Sequence, residues 1–87
     1  MTLDVSSLCR ATGGRAVLAR WGEYLAETLR QVPPGVDVVL TGAGPIWLYL
    51  KLAHALHGRV RSLHYDSPVT GTIEIFNHDP FAAPDAP

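Results

Sequence analysis

The hydrophobic positions of the chain fall into segments of different period. Leu3-Asp4-Val5-Ser6 alternates apolar and polar residues, the period of a strand. Ser6, Ser7, Thr12, Gly13 and Gly14 then predict a loop. From Arg15 to Val32 the period becomes helical: Val17, Leu18, Trp21, Tyr24, Leu25, Thr28, Leu29 and Val32 recur at three- and four-residue steps. Arg20, Glu23, Glu27, Arg30 and Gln31 fall on the opposite side, with Arg20–Glu23 and Glu27–Arg30 spaced for surface ion pairs. Pro33-Pro34-Gly35 ends that helix. Val36-Asp37-Val38-Val39-Leu40 is short, apolar and β-branched, which predicts a strand buried on both faces.

A second helix is predicted from Pro45 to His57, closed by Gly58 as its C-terminal cap. Leu48, Tyr49, Leu52, Ala55 and Leu56 form its broad apolar face, and Trp47, Lys51 and His54 a narrow stripe. Val60 to Tyr65 reads as a strand with Asp66 at its end, and Ser67-Pro68 suits a hairpin into a strand from Thr70 to Asn77. Strict alternation there puts Thr72, Glu74, Phe76 and His78 on one face and Gly71, Ile73, Ile75 and Asn77 on the other.

The element order is therefore β-α-β-α-β-β, without internal repeats. Right-handed crossovers make this a small Rossmann-like α/β domain of residues 1–80, with a mostly parallel sheet and one antiparallel edge strand. Residues 81–87, rich in Pro, Ala and Asp, are expected to be a flexible tail.

A chain of 87 residues buries only about 60–65% of its extended surface on folding. A hydrophobic content of 47% is generous for that size, so part of the apolar surface is expected in a subunit interface, a homodimer first. A net charge of −1 argues against non-specific binding to duplex DNA. Cys9 is the only cysteine and makes neither an internal disulfide nor a thiolate zinc site. No apolar run approaches membrane-spanning length and no secretory signal precedes the first residues, so a cytoplasmic protein without membrane partners is expected.

Candidate chemistry gathers at two places. Thr41-Gly42-Ala43-Gly44-Pro45 joins the second strand to the second helix. Its glycines permit a sharp turn, Pro45 suits the first helical position, and the unpaired first-turn amides with the helix dipole favour a phosphate or carboxylate. In such sheets ligands sit beyond the carboxyl ends of the parallel strands, where Asp66 also falls. Thr41, Gly42, Gly44 and Pro45 are thus ligand-binding candidates, with Trp47 or Tyr49 to stack a base. The second helix runs back, so His54, His57 and His78 are expected to cluster at the opposite edge, with His64 on a nearby strand. These histidines are candidates for acid–base work or for a metal, although no zinc signature accompanies them.

The string Gly42-x-Gly44-Pro45-Ile46-Trp47-Leu48-Tyr49, then Leu52-Ala53-His54-Ala55-Leu56-His57, Tyr65-Asp66 and the β run from Gly71 to His78 resembles a CRISPR-associated family. That family comprises ring nucleases distantly related to CARF domains, once described as manganese-dependent RNA deadenylases. The resemblance covers residues 36–79. It implies a CARF-like fold and a chain that binds the second messenger cyclic tetra-adenylate and linearises it, switching off type III CRISPR antiviral signalling. It also implies dimers stacked around the ring, one face binding and the opposite face supplying catalytic groups, with Mn²⁺ as the implied metal. By the same resemblance His54, Asp66 and His78 are the catalytic candidates. Two departures stand out: Ala43 occupies the place of a family arginine, and Asp66 is followed by Ser67-Pro68 instead of Pro-Arg. Two phosphate-contacting charges are absent, which leaves a catalytically weak sensor of the same ring as the alternative. A third reading, a structural interaction domain whose glycines serve only the turn, predicts no binding of any oligoadenylate.

Overall fold

Alternation decides the core. In β2 (Asp37–Thr41) Val38 and Leu40 are buried while Asp37, Val39 and Thr41 stay half-exposed, so this strand has one buried face and not the two its composition suggests. The reason is the layout seen in the structure, a computed structural model that describes residues 1–78. The tail expected over 81–87 lies outside the described residues.

The sheet has four strands in chain order, β1 (Thr2–Asp4), β2, β3 (Ser62–Ser67) and β4 (Gly71–Asn77). β1–β2 and β2–β3 are parallel, and β3–β4 is an antiparallel hairpin, as the element order predicts. Two helices make the crossovers: α1 (Trp21–Gln31) between β1 and β2, and α2 (Ile46–Leu56) between β2 and β3. Because the strand order equals the chain order, crossovers of one hand put both helices on the same side. Tyr24 and Val32 from the α1 region and Leu48, Leu52 and Leu56 from α2 pack with Leu3, Val38, Leu40 and Leu63 in one core. The other sheet face carries Asp4, Thr41, Asp66 and Thr72 in one row and Thr2, Val39, His64 and Glu74 in the next.

Several elements depart from the sequence pattern for local reasons. The loop expected after β1 is a 3₁₀ helix, Val5–Thr12, in which Val5, Leu8 and Cys9 are buried. Asp4 caps it by accepting from the Ser6 amide at 3.0 Å, and Gly13 closes it at φ 70°. The first long helix starts at Trp21 and not Arg15. Val17 is held extended because its amide donates to the Tyr24 hydroxyl at 2.8 Å, and only a single 3₁₀ turn, Leu18–Arg20, leads into α1. The expected ion pairs Arg20–Glu23 and Arg30–Glu27 both form.

Gly58 does not cap α2 in the left-handed region; instead the amides of Arg59 and Val60 both bond to the Leu56 carbonyl, at 3.0 and 3.1 Å. β4 breaks strict alternation. A bulge between Leu63 and His64 of β3 sets Phe76 opposite Leu63, so Phe76 joins Ile73 on the helix side and Asn77 joins Glu74 on the open side.

Two contacts lead to predictions. The Tyr24 hydroxyl, 2.8 Å from the Val17 amide and 3.0 Å from Thr12 Oγ1, ties the 3₁₀ segment to α1. Tyr24→Phe should lower unfolding free energy by about 1–3 kcal/mol, read by urea denaturation. Asp37 accepts from the Arg61 guanidinium and from Ser62 Oγ at 2.6 Å, which holds its carboxyl far below the usual carboxylate range. A carboxyl depressed on folding stabilises above its unfolded value of about 4 and loses that contribution as pH falls further. Thermal unfolding midpoints should therefore drop as pH falls below about 4, and Asp37→Asn should flatten that part of the curve.

Candidate ligand cleft and histidine pair

The glycine loop is shaped first by what lies beneath it. Gly42 has φ 95°, and a Cβ there would overlap the Asp4 carboxylate. A Cβ on Gly44 would come within 3.0 Å of the buried Val5 Cγ1. Both glycines let the turn cross closely over the β1–3₁₀ junction. Asp4 Oδ1 accepts from the Ser6 hydroxyl at 2.6 Å and from the Ser6 amide, and these bonds lower its pKa, keeping a carboxylate under the loop. Tyr49, one helical turn into α2, donates its hydroxyl to the Gly42 carbonyl and fixes the loop from above. Burial raises the Tyr49 phenol, with Tyr65 and Asp4 adding to the shift, so the hydroxyl stays a donor. Pro45 stands at the N-cap, extended at ψ 154°, and Ile46 takes the first helical position expected for it. Of the first-turn amides of α2, that of Leu48 already donates to the Pro45 carbonyl at 3.1 Å, and those of Ile46 and Trp47 have no partner within the helix.

Thr41, Gly42, Ala43 and Gly44 form one wall of an open cleft of about 500 Å³; Tyr49, Tyr65, Asp66 and Pro68 form the other. The Tyr49 and Tyr65 rings meet edge to face at 5.2 Å. The structure thus brings together Thr41, Gly42, Gly44, Tyr49 and Asp66. Pro45 is half-buried beside this group, and Trp47 is turned away to pack against the core. Among the described residues no lysine or arginine lines the cleft, and Asp66 puts a carboxylate into its wall.

Of the four histidines only two meet, at the opposite edge of the sheet. His57, just past α2, and His78, just past β4, place their Nε2 atoms 3.2 Å apart. Phe76 packs against both, with ring centroids 5.0 Å from each. A contact between two imidazole nitrogens is a hydrogen bond when one carries N–H and the other is bare, and this one occupies both Nε2 atoms. His54 is not part of the pair. It lies in a separate groove with Trp21 and Lys51, and Lys51 Nζ sits 5.1 Å over the Trp21 ring. His64 is on the open face, 3.8 Å from Glu74 Oε1. The resemblance picks out His54 by its Leu-Ala-His context; the meeting of the ends of α2 and β4 singles out His57. Among the described residues no three metal-binding side chains converge; His57 with His78 and His64 with Glu74 are pairs only.

A sequence model of the family described as CRISPR-associated protein (Cas_csx3) matches residues 25–84. The chain belongs to this family. No curated protein and no solved structure matches it. The family match begins within α1 and takes in the loop, the cleft and the His57–His78 pair. It leaves out β1 and the 3₁₀ helix, which hold the Asp4 and Val5 that press on Gly42 and Gly44. Among the described residues no helix is long and apolar enough to cross a membrane.

The packing beneath the loop is open to test without any ligand. Gly42→Ala should destabilise by about 1–3 kcal/mol, because it combines a positive φ with a clash against Asp4. Ala43→Arg, exposed in the same loop, should stay within about 0.5 kcal/mol of the parent. Urea denaturation of both variants reads the difference.

Proposed function

We propose that this chain binds a cyclic oligoadenylate, with cyclic tetra-adenylate as the ring, and cleaves it as a ring nuclease that switches off type III CRISPR antiviral signalling. The observation that carries the reading is one cleft, at the carboxyl edge of the parallel strands, made by Thr41–Gly44, Tyr49 and Asp66 in a member of a CRISPR-associated family. The first-turn amides of α2 suit a phosphate, the tyrosine rings suit adenine, and Asp66 suits a ribose hydroxyl.

Cleavage needs a ribose 2′-oxygen to attack the adjacent phosphorus while the 5′-oxygen leaves. One group takes the 2′-hydroxyl proton and another protonates the departing oxygen, giving a 2′,3′-cyclic phosphate and a 5′-hydroxyl. With both Nε2 atoms spent on each other, a neutral pair presents its two Nδ1 atoms, bare on the donating ring for the first task and N–H on the accepting ring for the second. His57 and His78 fit this division, and His54 stands apart from it. Because the cleft and the pair lie at opposite edges, a ring that touches both sits between two copies, as in stacked dimers. A Mn²⁺ on one chain alone would find no group of three protein ligands among the described residues.

A second reading, a sensor that binds the ring without cutting it, is favoured by the same cleft. Ala43 and Pro68 line it where phosphate-contacting arginines are expected, and among the described residues no lysine or arginine replaces them in its wall.

Labelled cyclic tetra-adenylate, with and without Mn²⁺, on a native and then a denaturing gel separates the readings. A linear product supports the nuclease. His57→Ala and His78→Ala should then each lower turnover by about 10²-fold or more while binding persists, and His54→Ala should leave turnover near the parent. Loss of turnover in His54→Ala alone would return the role to that residue. A shifted complex with an intact ring gives the sensor, and no complex with any ring size rejects both readings.

A further inference from the structure

We propose that the groove between α1 and α2 is a binding site for one nucleoside monophosphate, with the base on Trp21 and the phosphate on Lys51 and His54. The groove is separate from the loop cleft and shares no lining residue with it. Trp21 also stands ahead of residue 25, where the family match begins.

Lys51 is the only lysine in the chain, and its surroundings set it apart from the arginines. Arg20, Arg30 and Arg61 are held by Glu23, Glu27 and Asp37. Arg59 gives its guanidinium to the Val32 and Leu29 carbonyls. Among the described residues no carboxylate pairs with Lys51, and its ammonium rests 5.1 Å over the Trp21 ring. His54 follows three residues later in α2, on the same side and one helical turn away. Leu25, Leu50 and Ala55 complete the lining, which contains no acidic side chain. A cation, an imidazole and an aromatic face thus converge on an otherwise apolar groove.

A flat base joined to one phosphate uses all three. A cation resting on an exposed indole gains less than a base stacked there, so the flexible Lys51 stem yields the ring face and carries its three N–H donors to the phosphate. The groove holds about 360 Å³, at the lower end of small-ligand sites, which suits one nucleotide and not a ring of four. With Lys51 and His54 on the phosphate, the lining side chains keep only the Trp21 indole N–H as a polar group. The base is then read by its face and not by its edge, so adenine and guanine bind alike. This site does not rest on cleavage of a cyclic ligand, and its test uses none.

Calorimetric titration of the full chain with adenosine 5′-monophosphate should give a dissociation constant below about 1 mM, with quenching of tryptophan fluorescence over the same range. Lys51→Gln, an exposed change that keeps most of the stem, should raise that constant about tenfold with unchanged far-ultraviolet circular dichroism. Adenosine without phosphate should bind the parent chain about tenfold more weakly, and guanosine 5′-monophosphate within about threefold of the adenine nucleotide. Trp21→Leu should abolish the quenching. Trp21 is half-buried against the core, so Lys51→Gln decides if that variant fails to fold. No saturable heat with the monophosphate overturns the proposal, as does equal affinity for adenosine and its monophosphate. Undiminished binding by Lys51→Gln overturns it too and gives the nucleotide to the loop cleft.

Discussion

The constraint from which the rest of this structure follows is that strand order equals chain order. Successive crossovers of one hand then stack α1 and α2 on the same side of the sheet. A doubly wound sheet reverses direction and covers both faces; this one does not reverse. One face is therefore open, and its positions carry Asp4, Asp37, Asp66, Thr72, Glu74 and His64, residues that tolerate water. The other face runs short of helix at its last strand, which leaves Ile73 and Ile75 uncovered. The same layout sends α2 back along the strands, so the Gly42 loop at its start and His57 beyond its end lie at opposite edges.

The glycine loop illustrates how one sequence feature answers two demands. Gly42 is required by its positive φ and by Asp4 whether or not any ligand binds, and a side chain at Gly44 would crowd Val5. That packing also brings the Asp4 carboxylate under the loop, while Asp66 stands in the cleft wall. Helix-terminal partial charge opposes this negative charge only in part. With Ala43 and Pro68 where arginines are expected, the proposed binding of an anionic ring would rest on amide groups and stacking.

Much of the fold was legible because it depends on period. The second helix, the hairpin and the β-α-β-α-β-β order follow from the spacing of Leu48, Leu52 and Leu56, from Ser67-Pro68 and from the runs around them. The errors fell where a tertiary contact overrides period. Val17 looks helical but gives its amide to Tyr24 seven residues on, and Val5, Leu8 and Cys9 are buried from what reads as a loop. Val36–Leu40 looks buried on both faces because composition does not report how many helices a sheet receives. At the site, the gathering of Thr41, Gly42, Gly44, Tyr49 and Asp66 was legible from the strand-end rule. The inward turn of Trp47 and the separation of His54 from His78 were not, since both depend on how α2 is rotated over the sheet.

The histidine pair depends on a feature no period contains. Under strict alternation His78 falls on the face of Thr72 and Glu74, the open side of the sheet, with α2 behind it. The bulge at Leu63–His64 inserts one residue into β4, places Phe76 opposite Leu63, and carries His78 round to the helix side. There Phe76 supports both rings and His57 meets His78 at 3.2 Å. A bulge bends a strand and re-aims the side chains beyond it. Here it turns the end of an edge strand towards the end of a helix, and so joins two residues that the alternation of β4 would keep on opposite faces.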